Sequence, residues 1–307
     1  MSIVTLQQIT LAPKLYNHSG WQRVLLLIIP YFLVVGSFQY FAYYILDLPV
    51  SSEIPDKSTL QSVVVLSFTL LGTVLLLAVF LKYIDKKSFK ELGLYPYKAL
   101  PDTFTGIWLG FAVMVVALIT LLWADEVQVG GVHYNAEELM LSIVLYILVS
   151  WNEELLVRGY ILQNLMRSFH PYIALLLSSA LFSAMHLANP SMNWSGALSL
   201  LLAGILLGLC YLRTKSLWLP IALHFSWNFF QALLGFHVSG NAHYSLINLV
   251  YDEENIWNGG SFGFEGSVLG SIYQLPIMMY ILVKYRRNSQ VQGSGKVEIN
   301  PPFQAET

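Results

Sequence analysis

WNEELLVRGYILQ, residues 151–163, sets Glu153, Glu154 and Arg158 inside a run otherwise apolar enough to cross a membrane. The apolar stretch LMLSIVLYILVS (139–150) precedes it, and the helical pattern can continue to about Arg167. One charged side chain near the centre of a bilayer costs roughly 2.5–3.5 kcal/mol on insertion scales, so three together require partners or a wet cavity. Glu154 and Arg158 stand four apart with the glutamate on the N-terminal side, the favoured orientation for a pair on one helical face. Glu153 points about 100° away from Glu154, which leaves it out of that pair. One glutamate is neutralised and the other is held in reserve, an asymmetry that suggests chemistry.

The rest of the chain fits a membrane setting. Of 307 residues, 56% are hydrophobic and 11% charged, whereas a soluble domain carries about 25% charged residues. The expected fold is therefore all-α, a polytopic membrane helical bundle of about eight transmembrane helices. Apolar runs at 24–46, 60–83, 104–124, 139–165, 172–188, 196–212, 217–235 and 266–283 qualify or nearly do against the ~20 residues that span the hydrocarbon. The first run begins only at Val24 with no small-residue cleavage site after it, so no cleavable leader is expected. The net charge of −2 says nothing about nucleic acid by itself, but there is no basic stripe and no nucleic-acid partner is expected. The single Cys210, in LLAGILLGLCYL, excludes an internal disulfide framework and reads as a buried packing residue.

Loop charge orients the bundle. Lys14 and Arg23 precede the first run, Lys82, Lys86, Lys87, Lys90 and Lys98 lie in or after the second, and Arg167 follows the fourth. Arg213 and Lys215 follow the sixth, and Lys284, Arg286, Arg287 and Lys296 the eighth. Lys57 alone falls on the opposite side, where the loops carry Asp47, Glu53, Asp56, Asp125, Glu126, Glu137, Glu138, Asp252, Glu253, Glu254 and Glu265. The positive-inside rule then places both termini in the cytoplasm. The compact loops suit a prokaryotic cell inner membrane. Four regions follow: membrane helices and loops over 1–138, a core over 139–235, an outer loop and last membrane helix over 236–287, and a disordered polar tail over 288–307. Residues 1–20 read as a mixed segment able to form a short interfacial helix. The pairs Gly106/Gly110, Gly204/Gly208 and Gly266/Gly270 have the small-xxx-small spacing that lets helices approach closely. His133, His237 and His243 are scattered in polar loop sequence and read as surface histidines.

Two more polar sites lie in apolar runs. LFSAMHLAN sets Phe182 and His186 four apart, and HFSWN sets His224 and Asn228 four apart, so each pair shares a helical face. Ionisable and polar groups in three apolar helices are hard to place except around one shared interior cavity. Depth is a difficulty. Counted from the basic ends of their helices, Glu153 and His186 lie about 20 Å in, but His224 only about 10 Å, at 1.5 Å per residue.

Glu-Glu-x-x-x-Arg, Phe-x-x-x-His and His-x-x-x-Asn, in that order on apolar helices, resemble the CAAX protease and bacteriocin-processing family, the Abi-type or type II CAAX prenyl endopeptidases. The segment KELGL (90–94) is similar to that family's region before its core. The resemblance spans 139–235 and implies an intramembrane endopeptidase without a cofactor. Glu153 would be the general base, with His186 orienting or deprotonating the water. His224 and Asn228 would form the oxyanion-stabilising side, Glu154 and Arg158 would hold the site together, and Phe182 would pack beside His186. The implied partners are a peptide or lipid-anchored protein substrate, the lipid bilayer and a regulatory membrane protein. Zinc held by Glu153, His186 and His224 is the alternative mechanism, because two imidazoles and a carboxylate are ligands of catalytic zinc. A non-catalytic immunity or regulatory scaffold, and a transporter or proton relay, are the competing functions.

Overall fold

The computed structural model describes residues 19–49 and 57–286. The expected interfacial helix in 1–20, the tail over 288–307 and most of the outer loop at 51–59 lie outside the described residues. Among the described residues, helices of fifteen or more residues fall on each of the eight runs. They are α1 (Gly20–Ile45), α2 (Thr59–Asp85), α3 (Ala99–Trp123), α4 (Ala136–Leu165), α5 (Pro171–Met185), α6 (Trp194–Thr214), α7 (Trp218–Leu233) and α8 (Val268–Lys284). Five of them, α1 to α4 and α6, are long and apolar enough to cross a membrane by length and composition, while α5 and α8 are shorter apolar helices.

Three helices meet at one end of the bundle. Asp85, at the end of α2, accepts from Arg23 at the start of α1 (2.6 Å) and from Arg167 just after α4 (3.2 Å). At the other end the two outer loops pair as an antiparallel ribbon of β1 (Gln128–Val132) and β2 (Ile247–Val250).

Close approach explains which helices are neighbours. A Cβ on Gly106 would lie 2.6 Å from the Leu223 nitrogen, and one on Gly110 would lie 2.6 Å from the Ser226 Cβ, so these glycines seat α3 directly on the α7 backbone. A Cβ on Gly204 would fall 2.7 Å from that of Ser179, joining α6 to α5 in the same way. The third pair departs from expectation. Gly266 precedes α8, and Gly266 and Gly270 face Phe262 and the Phe264 carbonyl, so they accommodate the outer loop rather than a helix.

Two local features were not legible as pattern. α4 is α-helical through Glu154 and π-helical over Leu155–Leu162, so its turn widens just past the two glutamates; single π turns recur at functional sites. The turn between α6 and α7 is also buried. Leu217 is fully enclosed, its N–H donates to the Gly93 carbonyl (2.9 Å), and the Trp218 indole donates to the Tyr95 carbonyl (3.1 Å). From the same segment the Glu91 carbonyl accepts from Gln163 (3.0 Å). Thus α7 starts within the protein, beneath a cap built from the KELGL stretch, and the depth mismatch of His224 disappears. Enlarging the α3–α7 contact tests this packing: Gly110→Leu is expected to lower the thermal midpoint in detergent, by overpacking worth about 1–3 kcal/mol. An unchanged midpoint would contradict it.

Candidate active site

The site is assembled on a buried ion pair. Arg158 is among the largest fully buried side chains, and its Nη1 donates to Glu154 Oε1 at 2.5 Å. Nη2 donates to the Gly204 carbonyl of α6 at 3.3 Å, and the guanidinium lies 4.3 Å over the Phe182 ring of α5. One side chain of α4 therefore ties three helices together. Removing one partner of such a pair costs about 3–5 kcal/mol because a charge is left buried alone.

Glu154 Oε1 also accepts from His224 Nδ1 at 2.9 Å, so a single carboxylate oxygen orients both the arginine and the α7 imidazole. His186 follows the last turn of α5, where its Nδ1 sits 2.8 Å from the Phe182 carbonyl. A carbonyl can only accept, so His186 Nδ1 carries a proton and its Nε2 is directed elsewhere. Phe182 packs against His186 at 4.8 Å between ring centroids and against His224 at 6.1 Å. Both Nε2 atoms converge on Glu153: its Oε2 lies 3.7 Å from that of His186 and 3.9 Å from that of His224. That oxygen is buried and has no hydrogen-bond partner among the described residues. The spacing is too long for direct hydrogen bonds, and one water beside the carboxylate can reach both Glu153 and an imidazole.

These groups line one cavity of about 410 Å³, together with Asn228, Ser199 and Gln274. All seven residues singled out in the sequence, Glu153, Glu154, Arg158, Phe182, His186, His224 and Asn228, meet at this place. Glu153, Phe182, His186, His224 and Asn228 line the cavity, while Glu154 and Arg158 stand behind it.

Two cavity residues escaped the sequence reading. His243 is not a surface histidine: it lines the cavity, faces the Tyr146 ring at 6.2 Å, and burial pushes its pKa down to about 4. Glu265 is 6% exposed and also lines the cavity, its Oε1 accepting from the Ser239 N–H and hydroxyl; burial pushes its carboxyl above the usual range. The outer loop folds down onto the cavity, which local composition cannot reveal. His237 is tied to the loop by Nδ1 donating to the Ser261 carbonyl (2.9 Å), while His133 stays exposed as expected. Cys210 is fully buried.

A helical bundle with long apolar spans and an ionisable cavity of this kind is an integral membrane protein. Residues 135–230 match the family described as type II CAAX prenyl endopeptidase Rce1-like, a family of membrane proteases. The match covers the helices that carry all three motifs and leaves out α1 to α3, the outer loop and α8. No curated protein matches the chain.

Two outcomes are expected from this geometry. Arg158→Met should destabilise the protein by about 3–5 kcal/mol, and adding Glu154→Gln should recover part of that loss; equal stability of wild type and the single variant in chemical unfolding would contradict it. His243 has a folded pKa below its unfolded value of 6.5, so the unfolded chain binds the extra proton first on acidification and stability falls between about pH 6.5 and pH 4. Thermal midpoints across that range should fall less steeply in His243→Gln than in wild type, and parallel curves would refute the assignment.

Proposed function

We propose that the chain is an intramembrane endopeptidase that hydrolyses a peptide bond of a membrane-associated protein or peptide with Glu153 as general base. The observation that carries this reading is the position of the Glu153 carboxylate between the Nε2 atoms of His186 and His224, at 3.7 and 3.9 Å. A water held there donates one hydrogen to Glu153 and one to the bare Nε2 of His186, which aims its lone pair at the substrate carbonyl. As the water oxygen attacks, Glu153 takes its proton and the carbonyl oxygen becomes an oxyanion. Asn228 can donate to that oxyanion through its amide, and His224 through Nε2–H when doubly protonated. The proton on Glu153 then passes to the departing amine nitrogen, the C–N bond breaks, and the carboxylate is restored. Donors positioned in a low-dielectric cavity stabilise such charge more than they would in water.

The same donor types suit zinc, and both Nδ1 atoms are tied to acceptors as those of zinc ligands usually are. The separations of 3.7 and 3.9 Å exceed the ~3.3 Å expected between neighbouring ligand atoms of tetrahedral zinc. Among the described residues no group of three or more His, Cys, Asp or Glu is gathered to hold a metal. No step is therefore routed through zinc.

We place all eight helices across a prokaryotic inner membrane, with both termini cytoplasmic and the site inside the bundle. The substrate is a peptide or lipid-anchored protein, with regulation by another membrane protein open to it. Glu153→Gln is expected to lower peptide release by about 10²–10⁴-fold while the protein still inserts and keeps its thermal midpoint. The check is mass spectrometry of membrane and secreted peptides from cells carrying each form. Unchanged peptide profiles would remove Glu153 from the mechanism and favour a non-catalytic scaffold. Stoichiometric zinc whose removal by chelator abolishes cleavage would replace the metal-free mechanism.

A further inference from the structure

The cavity has a direction. Its wall runs from Glu153 toward Lys57 at the start of α2, Asn189 after α5, and Ser239, Asn241 and His243 in the outer loop. Every one of these belongs to the end of the bundle that carries the β1–β2 ribbon or leads to it. In the other direction the site is closed. Leu155, Val157, Tyr160, Leu162, Leu217 and Leu219 are each at most 1% exposed, and Phe89–Leu92 packs with this layer from outside. A chain reaching Glu153 from that end would have to displace a packed core, whereas the outer end already offers an apolar corridor with a polar mouth.

The closed end is also the basic one. Lys82, Lys86, Lys87, Lys90, Arg213, Lys215 and Lys284 lie there with the Asp85 cluster, while Asp125, Glu126, Glu137, Glu138, Asp252 and Glu253 flank the ribbon end. Lysine and arginine near helix ends mark the cytoplasmic side. We infer that the cavity opens to the non-cytoplasmic face, and that its substrate is an exported peptide or the outward-facing segment of a membrane protein rather than a prenylated cytosolic one. The substrate class rests on the endopeptidase reading above; the direction of opening does not.

Thiol accessibility tests the direction. In a Cys210→Ala background, Asn189→Cys places a thiol at the cavity mouth and Lys90→Cys places one at the closed end, with Asn241→Cys as a second mouth position should the first variant fold poorly. Spheroplasts are treated with a membrane-impermeant sulfonated methanethiosulfonate, before and after permeabilisation. The expected result is labelling of the mouth cysteine from outside at least tenfold faster than that of Lys90→Cys, with the difference lost on permeabilisation. Labelling of Lys90→Cys from outside, or protection of both mouth cysteines until permeabilisation, overturns the inference. So does cleavage of a farnesylated CAAX peptide supplied at the basic face of inverted vesicles. Labelling does not depend on turnover. Failure of the protease reading would show instead as identical peptide profiles for wild type and Glu153→Ala, with the labelling pattern intact.

Discussion

One carboxylate oxygen, Glu154 Oε1, carries two obligations in the interior: it accepts from Arg158 at 2.5 Å and from His224 at 2.9 Å. In a low-dielectric setting neither the guanidinium nor the carboxylate is tolerable alone, so α4 and α7 are held in one relative position. The guanidinium adds α5 through the Phe182 ring and α6 through the Gly204 carbonyl. His224 and the Phe182 ring take their places beside the cavity from this arrangement. The π-helical turn that begins at Leu155 widens α4 between the two partners of the pair.

The same constraint separates the roles of adjacent glutamates. Glu154 is fully buried and committed, whereas Glu153 is 19% exposed in its side chain and faces the cavity. Helical geometry alone directs consecutive residues about 100° apart, which turns a sequence dipeptide into a structural carboxylate and a reactive one. Phe182 likewise has more to do than pack beside His186: its ring supports the guanidinium and both imidazoles, and its carbonyl sets the His186 tautomer.

Much of this was legible from residue type and spacing. Charges inside apolar runs stand out because lipid penalises them, so Glu153, Glu154, Arg158, His186, His224 and Asn228 could be picked out before any coordinates. Glu265 and His243 could not, because each lies in polar loop sequence where a charge is unremarkable, and only long-range folding of 236–265 brings them to the cavity. The entry of α7 beneath 89–95 was hidden for a related reason. A span read by hydropathy is assumed to start at a membrane surface, whereas Leu217 starts its helix against the Gly93 carbonyl. Of the small-residue pairs, Gly106/Gly110 and Gly204/Gly208 seat helices as their spacing implies, but spacing cannot tell that Gly266 lies before its helix.

The proposed chemistry depends on how two imidazoles are held, and nitrogen-15 NMR of histidine-labelled protein reads that directly, with His186→Gln and His224→Gln used to assign the signals. Protonated Nδ1 in both His186 and His224 at neutral pH is the predicted result, since one faces a carbonyl and the other a carboxylate. A bare Nδ1 on either ring would turn its proton toward Glu153 and contradict the arrangement from which the chemistry was derived.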